Sequence, residues 1–136
     1  MPGYTRRLRL LASGDRRTTF RGPFDPSMKD DVYRGLDVLV IPSRAQETFS
    51  FVAREALLRG VPVIAAQVGA LPEVVAHSSN GWLFAESDAN QLASLLTEIC
   101  DHPGKLRGLE LPGRFEILTV RQHAARLRSV YASLVA

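Results

Sequence analysis

The stretch that decides the fold begins Val38-Leu39-Val40-Ile41-Pro42-Ser43 and resumes at Glu47-Thr48-Phe49-Ser50-Phe51-Val52-Ala53-Arg54-Glu55. It continues Ala56-Leu57-Leu58-Arg59-Gly60-Val61-Pro62-Val63-Ile64. Its first four residues are apolar and mostly β-branched, as in a strand buried on both faces of a parallel sheet. Helical periodicity starts near Phe51 and stops at Gly60, which suits the left-handed position just past a helix C-terminus. Ser50 has the side chain of an N-cap. This order puts Glu47 on the loop beyond the strand's carboxyl end and Glu55 in the second turn of the helix. The amides of about residues 51–53 lack intrahelical partners and face the same space, where the helix dipole favours an anion.

Outward from this stretch, strands and helices alternate. Residues 4–12 read as a short helix with Leu8, Leu11 and Ala12 on one side, and Thr18-Thr19-Phe20 opens a strand that ends at Gly22. Asp25-Pro26 is a cap followed by proline at the first helical position, and that helix stops at Gly35. Strand 38–42, helix 51–59 and strand 62–66 follow, then one helical turn at Leu71–Val75 and a strand at Trp82-Leu83-Phe84. Asp88 with Gln91 makes a capping box for a helix to about Cys100, with Leu92, Leu95, Leu96 and Ile99 as its buried stripe. Pro103 opens a brief helix to about Leu109. Thr119 caps a last helix carrying Val120, Ala124, Leu127, Tyr131 and Leu134. The fold class expected is α/β, a Rossmann-like parallel sheet of about four strands flanked by helices.

Composition narrows the class. A chain of 136 residues with 46% hydrophobic and 23% charged residues suits one soluble domain. No apolar run approaches the roughly 18 residues that span a bilayer, and no secretory signal pattern opens the sequence. The single cysteine, Cys100, excludes an internal disulfide and a cysteine-based metal cluster, and its place at a helix end predicts burial. Residues 1–21 hold six arginines against Asp15 alone, a net +5, which leaves −2 on the remainder of a +3 chain. Contact with an anionic membrane surface is one reading of that cluster. A solvated helix face is the reading preferred, since no aromatic interleaving or nucleic-acid motif accompanies the arginines, and no nucleic-acid partner is expected.

The motif residues resemble the donor-sugar motif of retaining glycosyltransferases with the GT-B fold, the large group 1, or family 4-like, set. That pattern is Pro-Ser, Glu-x-Phe-Gly, a second Glu eight residues after the first, Ala, Gly, Pro-Val and then Gly-Gly-x-x-Glu. The corresponding residues are Pro42-Ser43, Glu47-Thr48-Phe49-Ser50, Glu55-Ala56, Gly60, Pro62-Val63 and Gly69-Ala70-Leu71-Pro72-Glu73. A lone Glu-x7-Glu is weak, but the same pair set between Val-Ile-Pro-Ser and Gly-Val-Pro-Val-Ile is specific.

The resemblance implies that Glu47 serves the donor sugar as the catalytic carboxylate and that Glu55 binds the ribose. Ser43, Thr48, Phe49, Ser50, Phe51 and Val52 would line the donor site. Ser43 and Thr48 equally suit a strand end and a turn. Ser50 departs from the family's glycine, where a side chain crowds the approach of a phosphate, and Arg54 replaces a usual apolar residue. The donor would be a UDP- or GDP-sugar, with no cofactor and no metal, since there is no Asp-x-Asp and His77, His102 and His123 lack ligand spacing.

In the family's sheet order of 3-2-1-4-5-6, the strands at 18–22, 38–42, 62–66 and 82–84 would be the third to sixth. The first two, the Arg and Lys that hold the diphosphate, and the N-terminal acceptor domain have no counterpart in these residues. The chain thus reads as one partial donor-nucleotide-sugar-binding domain, with a basic lead-in (1–17), a Rossmann-like core (18–110) and a closing helix (119–135). Strand 18–22 is expected to pair beside 38–42, with self-association through the remaining edge. Alone it would be inactive. The setting implied is cytoplasmic, with the inner membrane face as a peripheral contact. The alternatives are a non-catalytic Rossmann-like module binding nucleotide or a partner, and a GT-B-like nucleotide-sugar epimerase fragment.

Overall fold

The computed structural model describes residues 2–111 and 118–134. Helix α1 spans Pro2–Leu11, a 3-10 turn at Pro26–Met28 leads into α2 (Lys29–Arg34), and β1 spans Leu39–Ile41. Helix α3 (Phe51–Leu58), β2 (Val63–Ala66), the single turn α4 (Leu71–Val74) and β3 (Gly81–Phe84) follow. Then come α5 (Ala89–Asp101), a 3-10 turn at Pro103–Leu106 and α6 (Val120–Leu134). The expected final residue of the last helix, 135, lies outside the described residues.

The sheet is parallel and has three described strands in the order β1-β2-β3, with Val40 opposite Ile64 and Ile64 opposite Trp82. The central strand β2 is buried along its whole length, whereas β1, with one neighbour, is only half-buried. Around β2 gather Ala53, Ala56 and Leu57 of α3, Leu71 and Val74 of α4, Trp82 and Phe84 of β3, and Ile99 of α5. Leu92, Leu95 and Leu96 pack against the same core, as the α5 stripe predicts. Transfer of these side chains from water drives the assembly.

The caps follow the sequence in most places. Asp25 accepts from the Ser27 amide at 2.8 Å, and Asp88 accepts from the Gln91 amide at 2.9 Å. Thr119 Oγ1 accepts from the Gln122 amide. Gln91 completes no reciprocal box; its Oε1 accepts instead from the Ala85 amide. At the end of α3, Val61 N–H donates to Ala56 O and Gly60 N–H to Leu57 O, with Gly60 at φ +75°. This is the paired closure of a helix through a left-handed residue.

Two expectations are corrected. The fourth strand does not form: residues 18–22 carry no strand pairing, and the outer edge of β1 is unpaired among the described residues. Thr18-Thr19-Phe20 has one apolar side chain to bury, too little to hold an edge strand in place, and Phe20 lies instead beneath Arg9, 5.5 Å from its guanidinium. Cys100 is exposed, because Ile99 takes the inward position of the last turn of α5. The apolar residues of α6 are also exposed, including Val120, Leu127, Tyr131 and Leu134. No helix among the described residues is long and apolar enough to cross a membrane.

Candidate functional site

The site is built where β1 ends and α3 begins. Residues Leu39 to Ile41 of β1, with Pro42, Ser43, Glu47, Ser50, Phe51 and Val52, line an open cleft of about 360 Å³. That size lies within the range of small-molecule sites. A cleft outside the carboxyl end of a parallel strand is where open α/β sheets bind ligands. A second hollow, lined by Asp30, Arg34, Leu58 and Arg59, lies between α2 and α3 and contains none of the motif residues.

Glu47 is half-buried and its backbone is clamped from behind. Its carbonyl accepts from the Ala70 amide at 2.6 Å, and Gly69 sits against it at φ +54°. A Cβ on Gly69 would lie 2.3 Å from Glu47 O and 2.5 Å from Glu47 N. Glycine at 69 therefore lets the loop after β2 hold the loop after β1, and so fixes where the Glu47 side chain starts.

Ser50 occupies the N-cap position of α3, but its side chain makes no capping bond. Its backbone is left-handed, at φ 51° and ψ 73°, outside the extended conformation of an ordinary N-cap. The capping role expected of it is thereby corrected. The first intrahelical bond runs from the Arg54 amide to Ser50 O, and the amides of Phe51, Val52 and Ala53 have no acceptor among the described residues. These three N–H groups, with the positive end of the helix dipole, suit an anion.

Glu55 does not line the cleft; it faces α2. Lys29 Nζ donates to its Oε1 at 2.6 Å and Tyr33 OH to its Oε2 at 3.2 Å. Tyr33 also reaches Val52 O at 3.4 Å, linking the pair to the cleft wall. Burial, and then the neighbouring Glu55 carboxylate, push the Tyr33 phenol above its ordinary pKa. Arg59 closes the opposite flank, pairing with Asp30 at 2.6 Å and lying 5.1 Å from the Tyr33 ring.

The remaining residues spread around the mouth. Ser43 Oγ donates to Ala45 O at 3.2 Å, a turn contact. Thr48 is exposed. Phe49 and Phe51 meet at a tilt of 55° with centroids 4.8 Å apart, both open to solvent, and the Arg54 guanidinium lies 4.0 Å above Phe49 while its Nε donates to Phe49 O. Glu47, Ser43, Ser50, Phe51 and Val52 thus share the cleft, whereas Thr48, Phe49 and Glu55 sit beside it. Lys29 and Tyr33 escape a sequence reading because they approach Glu55 across 26 and 22 residues. The clamp at Gly69 carries a local signal, its place in the Gly69-Ala70-Leu71-Pro72-Glu73 run.

Comparison with known proteins bears on the family of the chain. Residues 2–102 match the family profile described as glycosyl transferases group 1. The D-inositol 3-phosphate glycosyltransferase of Corynebacterium efficiens is 39% identical over 101 residues, covering 71% of this chain and 24% of that enzyme. The enzyme of the same name from Corynebacterium glutamicum is 35% identical over 124 residues, covering 90% and 29%. The chain therefore spans about a quarter of the length of these relatives. Among solved structures, Anabaena HepE in complex with UDP superposes with a TM-score of 0.80 at 26% identity, over 95% of this chain and 37% of HepE. The sucrose-phosphate synthase of Thermosynechococcus elongatus gives 0.81 at 33% identity, over 98% and 35%.

Proposed function

Since the chain belongs to the group 1 glycosyl transferases, we propose that it is the donor-binding part of an enzyme that moves a sugar from a nucleoside diphosphate to an acceptor with retained configuration. The observation that carries this is one cleft that joins a clamped carboxylate, Glu47, to three acceptor-free amides at the start of α3. The amides receive the diphosphate. Glu47 faces the sugar, where a negative charge favours the oxocarbenium-like character of glycosyl transfer. Glu55 takes the ribose: each of its oxygens has one donor, and a carboxylate accepts about four hydrogen bonds, so two sites stay open to hydroxyls while Lys29 and Tyr33 hold the group still.

The donor proposed first is a UDP-sugar, because HepE has been solved with both UDP and UDP-glucose at 25–26% identity to this chain. The acceptor would be held by a separate domain of the longer protein. No resident metal is needed in this reading, which the lack of an Asp-x-Asp supports. A cytoplasmic setting is part of it, and the exposed free Cys100 suits a reducing compartment. Calorimetric titration with UDP, GDP and their glucose and mannose conjugates tests the proposal. UDP and UDP-glucose are expected to bind in the high-micromolar to millimolar range, because the helix start supplies only part of the charge a diphosphate needs. Equal heats for all ligands and for inorganic phosphate would overturn it.

A further inference from the structure

Three serines have positive φ: Ser50, Ser78 and Ser87. Ser78 and Ser87 are exposed turn residues, but Ser50 is buried, with 7% of its surface accessible. A left-handed residue with a Cβ is strained by about 1–2 kcal/mol relative to the right-handed form, and Gly would remove most of that. Strain of this kind persists at functional sites when the surroundings over-determine the conformation. The hydroxyl of Ser50 also makes no hydrogen bond among the described residues, neither as a cap nor to a neighbouring side chain. Fully enclosed side-chain oxygens without partners do not occur there, so this oxygen keeps a small opening, and Ser50 lines the cleft. An unpartnered hydroxyl that opens on the cleft is free to bond to what enters it.

Building on the cleft reading above, we infer that Ser50 is a ligand-binding residue in its own right: its Oγ–H donates to a phosphate oxygen of the nucleoside diphosphate held at the start of α3. The Phe51, Val52 and Ala53 amides immediately follow Ser50, so the proposed phosphate site draws four donors from consecutive residues. A hydroxyl also adds what glycine cannot, a donor that rotates to suit the phosphate. The side chain that crowds the phosphate in a reading from sequence becomes one of its ligands. This gives the chain a specificity element for phosphate rather than for base or sugar.

The test compares the unaltered chain with Ser50→Ala, which removes the hydroxyl and keeps the strain, and Ser50→Gly, which removes both. Binding of UDP and of uridine is followed by amide chemical-shift titration up to about 10 mM, some tenfold past the expected Kd. Thermal melts of all three proteins accompany it. Both variants are expected to bind UDP about tenfold more weakly, the loss of one charge-assisted hydrogen bond, with uridine affinity unchanged. Ser50→Gly should melt at the same temperature or higher, since it relieves the left-handed strain, so weaker binding cannot come from unfolding. UDP binding equal to or tighter than that of the unaltered chain in either variant would overturn the inference and restore the crowding role. Equal loss for UDP and uridine would also overturn it. Failure of the unaltered chain to bind UDP at all would instead remove the nucleotide-sugar reading on which it rests.

Discussion

Replacing Gly69 with alanine tests how the fold positions Glu47. The new Cβ would stand 2.3 Å from Glu47 O, 2.5 Å from its N and 2.9 Å from its C. All three are backbone atoms, so no side chain can rotate away, and ordinary contact requires the loop to withdraw by about 1 Å. Three costs add. The left-handed φ costs an alanine about 1–2 kcal/mol, of which the lower chain entropy returns about 0.5–1. Overpacking adds about 1–3 kcal/mol, and weakening the Ala70–Glu47 hydrogen bond adds about 1. The expected loss is about 2–5 kcal/mol, a large part of a small domain's stability.

Gly60→Ala is the control, because Gly60 has φ +75° but open space around it, so only the backbone cost of about 1 kcal/mol applies. Urea unfolding followed by the fluorescence of the single tryptophan, the buried Trp82 of β3, reads both variants. A Gly69→Ala loss within about 0.5 kcal/mol of the Gly60→Ala loss would show that the contact does not clamp the loop. In an enzyme of the relatives' full length, a 1 Å displacement of Glu47 should lower kcat about a hundredfold.

Other outcomes are equally definite. In that longer enzyme, Glu47→Gln should lower kcat by about two orders of magnitude or more with little change in donor KM, whereas Glu55→Gln should chiefly raise the donor KM; near-normal kinetics in both would refute the assigned roles. The Tyr33 phenol, isolated in absorbance titrations by difference from Tyr33→Phe, should ionise above its ordinary value of 10.0, and Glu55→Gln should return part of the shift while burial keeps the rest. Because the folded state favours the neutral phenol, its contribution to stability is complete below pH 10 and is lost as the pH rises through the folded-state value. The unpaired β1 edge should promote concentration-dependent association in sedimentation experiments, and Val40→Lys should suppress it; association unchanged by that substitution would place the contact elsewhere.

The sequence by itself determined the elements whose signals are local. Val38–Ile41 and Val63–Ala66 are apolar runs suited to strands buried on both faces; β2 is buried along its length, while β1, with one neighbour, is half-buried. Gly60 ends α3 and Asp88 starts α5 because the chemistry of each cap needs only neighbouring backbone groups. The motif around Glu47 and Glu55 was legible for the same reason, as was its family. Tertiary structure alone decided what depends on distant partners. Thr18–Gly22 has the look of a strand, yet a strand exists only where a neighbour pairs with it, and none does among the described residues. Ser50 reads as a cap until the path from β1 to α3 imposes a left-handed backbone in which its side chain makes no capping bond. Glu55 is legible as a motif residue, but only folding brings Lys29 and Tyr33 of α2 to its carboxylate. The position of Glu47 is set by Gly69, on the loop after the next strand. Local preference acts over a few residues, while contacts closed by folding join groups whose spacing in sequence carries no trace of their meeting.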